Sequence, residues 1–230
     1  MSEFLGNSAF FSILISILAF ELGSQIKNKL KLAVFNPLLI AIVTVMAVLT
    51  VLDIEYETYK QSAQFLSWLL TPATVCLAFP LYEQLSLLKK NAKAILAGIL
   101  AGVLSSLTCI LLMALAFGLT YEQYVTLLPK SITTAIGMGV CEELGGYVTI
   151  TVASIVVTGI IGNVLAEFLC RIFRITDPVA KGIAIGSSSH ALGTVKAIEI
   201  GEVEGAMSSL SIAVSGLITV VLASVYAQFL

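Results

Sequence analysis

Lys130 stands in the run Leu128-Pro129-Lys130-Ser131-Ile132-Thr133-Thr134, a basic and hydroxyl-rich interruption of an otherwise apolar stretch. A second interruption, Gly186-Ser187-Ser188-Ser189, leads into His190-Ala191-Leu192-Gly193-Thr194 and then Lys196. A third is Thr71-Pro72, with Thr74 just beyond it. Each reads as the start of a half-helix, where hydroxyls cap and a proline at the first helical position loses nothing. Such a start presents unpaired N–H groups and the positive end of the helix dipole, which attract an anion. The chemistry expected is recognition of a small carboxylate. Lys130 and Lys196 supply counter-charge, and Pro72, Thr74, Ser131, Thr133, Thr134, Ser188, Ser189 and Thr194 supply the cap and hydroxyl contacts. His190 is the only histidine, and a free imidazole titrates near working pH, which suits proton coupling or carboxylate recognition. Plainer readings stand beside these. Lys196 has Glu199 at spacing i+3 to pair with, Thr74 has its own helix to bond back to, and a lone histidine is often a satisfied core residue.

Other chemistries find no footing. There is no G-x-S-x-G elbow, P-loop, zinc spacing or haem motif. Cys76, Cys109, Cys141 and Cys170 are dispersed through apolar runs with no C-x-x-C pair, so neither a metal nor a cofactor is expected. An enzyme is the poorest of the functional classes.

The elements that must position these residues are membrane helices. Of the 230 residues, 58% are hydrophobic and 11% charged, against about 25% charged in a soluble domain. With a mean hydropathy of +1.03, there are too few charges to solvate a globule or neutralise phosphates, which excludes soluble enzymes and nucleic-acid binders. Apolar runs near the roughly 20 residues a spanning helix needs lie at 8–26, 34–52, 62–82, 94–118, 147–170, 178–200 and 206–229, with an eighth candidate at 121–144. The first run reads as a membrane helix rather than a removable signal, because its first charge is Glu3 and no A-x-A site follows.

Cations give the topology. Nine of twelve fall in three loops, Lys27/Lys29/Lys31, Lys89/Lys90/Lys93 and Arg171/Arg174/Lys181, which the positive-inside rule places in the cytoplasm. A crossing by 121–144 would put Arg171 and Arg174 outside. The segment is therefore expected to dip in and return, its break at Pro129 to Thr134 lying at mid-depth and Gly145-Gly146 turning the chain. The expectation is an all-α polytopic membrane protein, a single domain over 1–230, with about seven transmembrane helices plus one re-entrant hairpin, N-terminus outside and C-terminus inside. Eight crossings, with one violation of the charge rule, is the alternative. The interrupted segments 62–82 and 178–200 would run in opposite directions, the arrangement of inverted repeats in secondary transporters.

The stretches Asn36-Pro37-Leu38, Pro72-Ala73-Thr74-Val75, Pro80-Leu81-Tyr82, Leu128 to Thr134, Glu143-Leu144-Gly145-Gly146 and Ser189 to Thr194 occur in this order. In them the chain resembles, over essentially its whole length, the LrgB/CidB family of bacterial inner-membrane proteins, and its Ser189–Thr194 stretch and Ala135 are closer to the CidB branch. Many members carry a second proline in the hairpin where this chain has Ala135. The resemblance implies a multi-pass protein of the bacterial cytoplasmic (inner) membrane. It implies either transport of small monocarboxylates of the pyruvate, glycolate or glycerate type, as in the similar domain of the plastid glycolate/glycerate transporter, or a holin-like pore or regulator of murein hydrolase export and lysis. It also implies a small membrane partner of the LrgA/CidA type. A homo-oligomer, a dimer, is expected from the Gly-rich helices. The residues themselves favour a site over a channel, because polar groups cluster at breaks and form no sustained stripe.

Overall fold

The computed structural model describes residues 8–30, 37–69, 72, 75, 76 and 78–230. Every regular element among them is helical. They divide into two compact units, 1–76 and 77–230.

The first unit packs α1 (Ala9–Leu30) against α2 (Pro37–Val51). Gly23 makes this possible: a Cβ there would lie 2.5 Å from the Pro37 carbonyl oxygen. α2 ends where Asp53 takes φ 51°, and the chain bends by 119° into α3 (Tyr56–Ser62), followed by the short α4 (Gln64–Trp68). Tyr59 and Ser62 return to α1 through hydrogen bonds to Ser16 and Ser12. Pro72 belongs to this unit and is exposed, while Thr71 and Thr74 lie outside the described residues, as does much of the expected break in 62–82.

The second unit holds α5 (Ala78–Glu83) and three long helices, α6 (Leu85–Phe117), α9 (Val148–Ile172) and α11 (Glu202–Tyr226). With α1, the spans Lys89–Phe117, Val148–Ile172 and Glu202–Phe229 are long and apolar enough to cross a membrane. The early part of α6 and the late part of α9 line one cleft beside Asp177 and Ala180, so the two helices are antiparallel. Their cationic ends, Lys89/Lys90/Lys93 and Arg171/Arg174, therefore lie together, as the positive-inside rule requires.

Between α6 and α9 the chain makes α7 (Tyr121–Leu127), a non-helical break and α8 (Thr134–Glu143). Gly118 ends α6 in the left-handed region at φ 62°, and a capping box between Thr120 and Gln123 starts α7. Thr126, in the last turn of α7, ties that helix to the start of α9. Its Oγ1 accepts from the Tyr147 N–H at 2.8 Å, and its carbonyl accepts from Thr151 Oγ1 at 2.8 Å. Residues 121–144 thus enter and leave at the same end, the re-entrant course read from the charge pattern. Thr126→Val removes the buried acceptor of the Tyr147 N–H and is expected to destabilise the protein by about 1–3 kcal/mol. Thr126→Ser restores most of that, read as the melting temperature of the detergent-solubilised chain.

The segment 178–200 departs from expectation. It is not a crossing. α10 (Pro178–Ile200) starts under an Asp177 cap and reverses at His190, whose φ 43° and ψ −140° break the helix into arms 178–189 and 191–200. The reversal is shown by contacts that a straight helix would not make. A Cβ on Gly193 would lie 2.6 Å from Ser189 Cβ and 3.1 Å from the Ile185 carbonyl oxygen, eight residues back. Gly182 and Gly186 of the first arm and Thr194 and Ile198 of the second all abut Glu204 to Ser208 of α11. At 1.5 Å per residue each arm reaches about 15–18 Å, half the ~30 Å hydrocarbon core, so the tip sits at mid-depth. α11 then leaves the cationic end and finishes at the other, where Tyr124 OH donates to the Tyr226 carbonyl. The end of α11 therefore lies opposite the cations, which corrects the sequence expectation of a C-terminus inside with them. Within this unit, two long helices are each followed by a hairpin, and the two hairpins enter from opposite ends.

Candidate functional site

The two hairpins converge on a cleft of about 1090 Å³ between α6, α9 and the first arm of α10. The α7–α8 break contributes Lys130 and Ser131; the first arm contributes Ser187, Ser188 and Ser189. α6 adds Ser105, Ser106 and Cys109, and α9 adds Thr158. The remaining wall is apolar, including Ile161, Leu165 and Ile183. Lys130 Nζ donates to Ser131 Oγ at 2.9 Å, and Ser131 Oγ lies 3.2 Å from Ser106 Oγ, so the ammonium is tethered to the hairpin tip and to α6. Asn91 and Asp177 mark the mouth, which places it at the cationic end. Inward of Ser106, Ser131 and Ser187 only about 10 Å³ remains, closed by Val103, Leu107, Leu128 and Ile132.

Glycines set the cleft's width. A Cβ at Gly102 would lie 2.9 Å from Ser187 Oγ, and one at Gly98 3.3 Å from Ile183 Cγ2. On α9, Gly159 and Gly162 form a flat groove for the tip of α10: a Cβ at 159 would meet the His190 ring at 2.6 Å, and one at 162 would overlap Ser189.

Of the residues singled out in the sequence, the cleft gathers Lys130, Ser131, Ser188 and Ser189. Of the other singled-out residues of this unit, none lines it. His190 is buried at the tip of α10, where its Nε2–H donates to the Ile155 carbonyl at 2.9 Å, pinning the reversal to α9. Thr194 is 1% exposed and pairs with Ser208 Oγ at 2.7 Å. Lys196 forms ion pairs with Glu167 at 2.5 Å and Glu199 at 3.2 Å, the pairing that composition allowed and more. Thr133 is the N-cap residue of α8 without a side-chain cap bond, and Thr134 begins that helix; neither lines the cleft. The expected anion-binding helix start at Ser187–Ser189 is corrected too. These serines close the first arm, with Ser187 and Ser188 hydroxyls donating to the Ile183 and Ala184 carbonyls at 2.7 Å, and the break falls one residue later.

Ser105, Ser106 and Thr158 were not singled out in the sequence. Hydroxyls inside long apolar helices bond back to their own turn so commonly that type and spacing alone do not mark them. What the cleft offers chemically is one ammonium, several hydroxyls and a mostly apolar wall. That composition suits a small anion with an apolar part, and among the described residues no cluster fit for a metal ion occurs.

Residues 16–229 match the family described as LrgB-like. The chain is 35% identical over 224 residues to the antiholin-like protein LrgB of Bacillus subtilis (strain 168), covering 97% of each. It is 37% identical to the holin-like protein CidB of Staphylococcus aureus (strain N315), covering 93% of each. The antiholin-like protein LrgB of Bacillus cereus (strain B4264) is 35% identical, with 96% of each covered. No solved structure matches the chain.

Proposed function

The chain belongs to the LrgB-like family of bacterial multi-pass cytoplasmic membrane proteins, and from that premise we propose that it passes small monocarboxylates across the membrane through the cleft at Lys130. The observation that carries this reading is the meeting of two hairpins from opposite ends at one tethered ammonium. Half-depth hairpins around a midplane site are the architecture secondary transporters use, because non-helical backbone at that depth is tolerated only where protein or a water-filled cavity satisfies it. The carboxylate of a pyruvate, glycolate or glycerate type of cargo would lie against Lys130 and the Ser131, Ser188 and Ser189 hydroxyls. Its short carbon chain would face Ile161, Ile183 and Leu165. The plug of Val103, Leu107, Leu128 and Ile132 would seal the far side while the mouth stands open to the cytoplasm. We assign His190 to holding the second hairpin's tip rather than to contacting cargo. The whole of 1–230 acts in this reading as one family domain.

The experiment is uptake of labelled pyruvate and glycolate into proteoliposomes, with and without a pH gradient, beside release of an unrelated trapped dye. Saturable uptake without dye release supports the carrier. Lys196→Met is expected to change that uptake by less than roughly fivefold, since an ion pair at the helix ends contributes at most about 1 kcal/mol.

The names of the relatives favour a second reading, a holin-like pore or a regulator of lysis. In that reading the plug opens for many solutes, dye release replaces saturable uptake, and an LrgA/CidA-type partner is required for the effect.

A further inference from the structure

A second cavity, of about 750 Å³, lies at the cationic end below the cleft, lined by Glu167, Arg171, Arg174, Thr176, Lys181 and Glu199 among others. The acids there already have lysine partners. Glu167 and Glu199 are both held by Lys196, and Lys181 lies 3.7 Å from Glu204. The arginines differ: among the described residues neither Arg171 nor Arg174 has an ion-pair partner. α9 ends in a Schellman turn, with the Ile175 N–H bonded to the Cys170 carbonyl at 2.8 Å and the Arg174 N–H to the Arg171 carbonyl at 3.2 Å. This turn holds Arg174 at φ 53°, a left-handed conformation that disfavours any side chain, so an arginine at this position is a conformational cost that glycine would avoid. Phe168, Ile172 and Phe173, beside the arginines on the same helix end, are 58%, 55% and 71% exposed.

Two unmatched guanidinium groups over a cavity, at the cytoplasmic membrane surface and beside an apolar skirt, fit one ligand class. We propose that this cavity binds the phosphate diester headgroup of an anionic phospholipid, with Arg171 and Arg174 as the grip and the acyl chains along Phe168, Ile172 and Phe173. Guanidinium presents paired N–H donors that match phosphate oxygens, and basic pockets on the cytoplasmic side of helix bundles take such headgroups. Lys181 and Glu199, which line the cavity, sit on the two arms of α10, so an occupied cavity braces the open end of the second hairpin.

The test is native mass spectrometry of the full chain in micelles doped with phosphatidylglycerol or phosphatidylcholine. Phosphatidylglycerol should be retained preferentially, and Arg171→Gln/Arg174→Gln should weaken that retention roughly tenfold or more. The matched Lys89→Gln/Lys90→Gln pair, which removes the same charge at the same end, should leave it intact. Arg174→Gly relieves the left-handed backbone, so it is expected to bind the lipid more weakly while melting no lower than wild type, which separates recognition from misfolding. Equal retention of the two lipids, equal loss in the lysine control, or displacement by equimolar inorganic phosphate would each overturn the proposal. None of these readouts depends on transport, so the cargo site stands or falls separately.

Discussion

Gly162→Val should unseat the second hairpin and destabilise the protein by about 3 kcal/mol or more, the upper range for overpacking a filled interior. The reason is geometric. A Cβ at 162 would occupy the space of Ser189 Oγ and Cβ, one residue from the reversal at His190. Rotating the Ser189 hydroxyl into the cleft does not relieve this, because its Cβ is overlapped too, and the adjoining His190 ring is fixed to the Ile155 carbonyl. Gly139→Ala is the control, because a Cβ there meets nothing within 4 Å. In the helix α8 it should be neutral or stabilising by about 0.5–1 kcal/mol. Thermal melting in detergent separates the two, and equal melting temperatures would refute the docking of the tip on α9.

Lys130→Met should weaken saturable carboxylate uptake about 100-fold or more, while leaving melting nearly unchanged. The substitution keeps the length of the side chain and removes its charge. Losing one partner of a desolvated, hydrogen-bonded ion pair costs about 2–5 kcal/mol, and each 1.4 kcal/mol is tenfold in affinity. Ser131→Ala removes one neutral hydrogen bond of about 1 kcal/mol and should cost only about five- to tenfold. The ordering matters more than either value, since a role for Lys130 in folding alone would lower the melting temperature without a steeper loss of uptake than Ser131→Ala.

The part of the site that could be read in the sequence is the part that violates an apolar run. Pro129 and Lys130 interrupt a membrane segment, where charge and broken backbone are expensive, and both mark the hairpin tip at which the structure places them. The cation pattern likewise required residues 121–144 to turn back. The second hairpin was hidden because 178–200 has the length of a span and reverses at a single non-glycine residue. Its signal was compositional: Lys181, three serines, Lys196 and Glu199 in 23 residues, and α10 is not among the helices apolar enough to cross. The serines drew attention as a helix start, yet one hairpin tip contains both an arm's end and the next arm's start, and sequence order does not say which a residue joins. Lys196 looked like a buried cation because Glu167, its nearer partner, is 29 residues away in the chain. The Gly159 and Gly162 pair at i,i+3 was present throughout, but glycine is frequent in membrane helices and only the tip seated against it gives the pair a meaning.

Cys109 offers the most direct test of a carboxylate site at Lys130. It lines the cleft and is exposed, while Cys141 and Cys170 are buried and Cys76, exposed in the first unit, serves as an internal reference. The purified chain would be treated with a maleimide and the rate of modification at each cysteine followed by peptide mapping, with and without pyruvate. Saturable slowing at Cys109 but not at Cys76, absent in Lys130→Met and absent when a small cation replaces pyruvate, is the predicted result. Modification of Cys109 at one rate under all of these conditions would contradict the account.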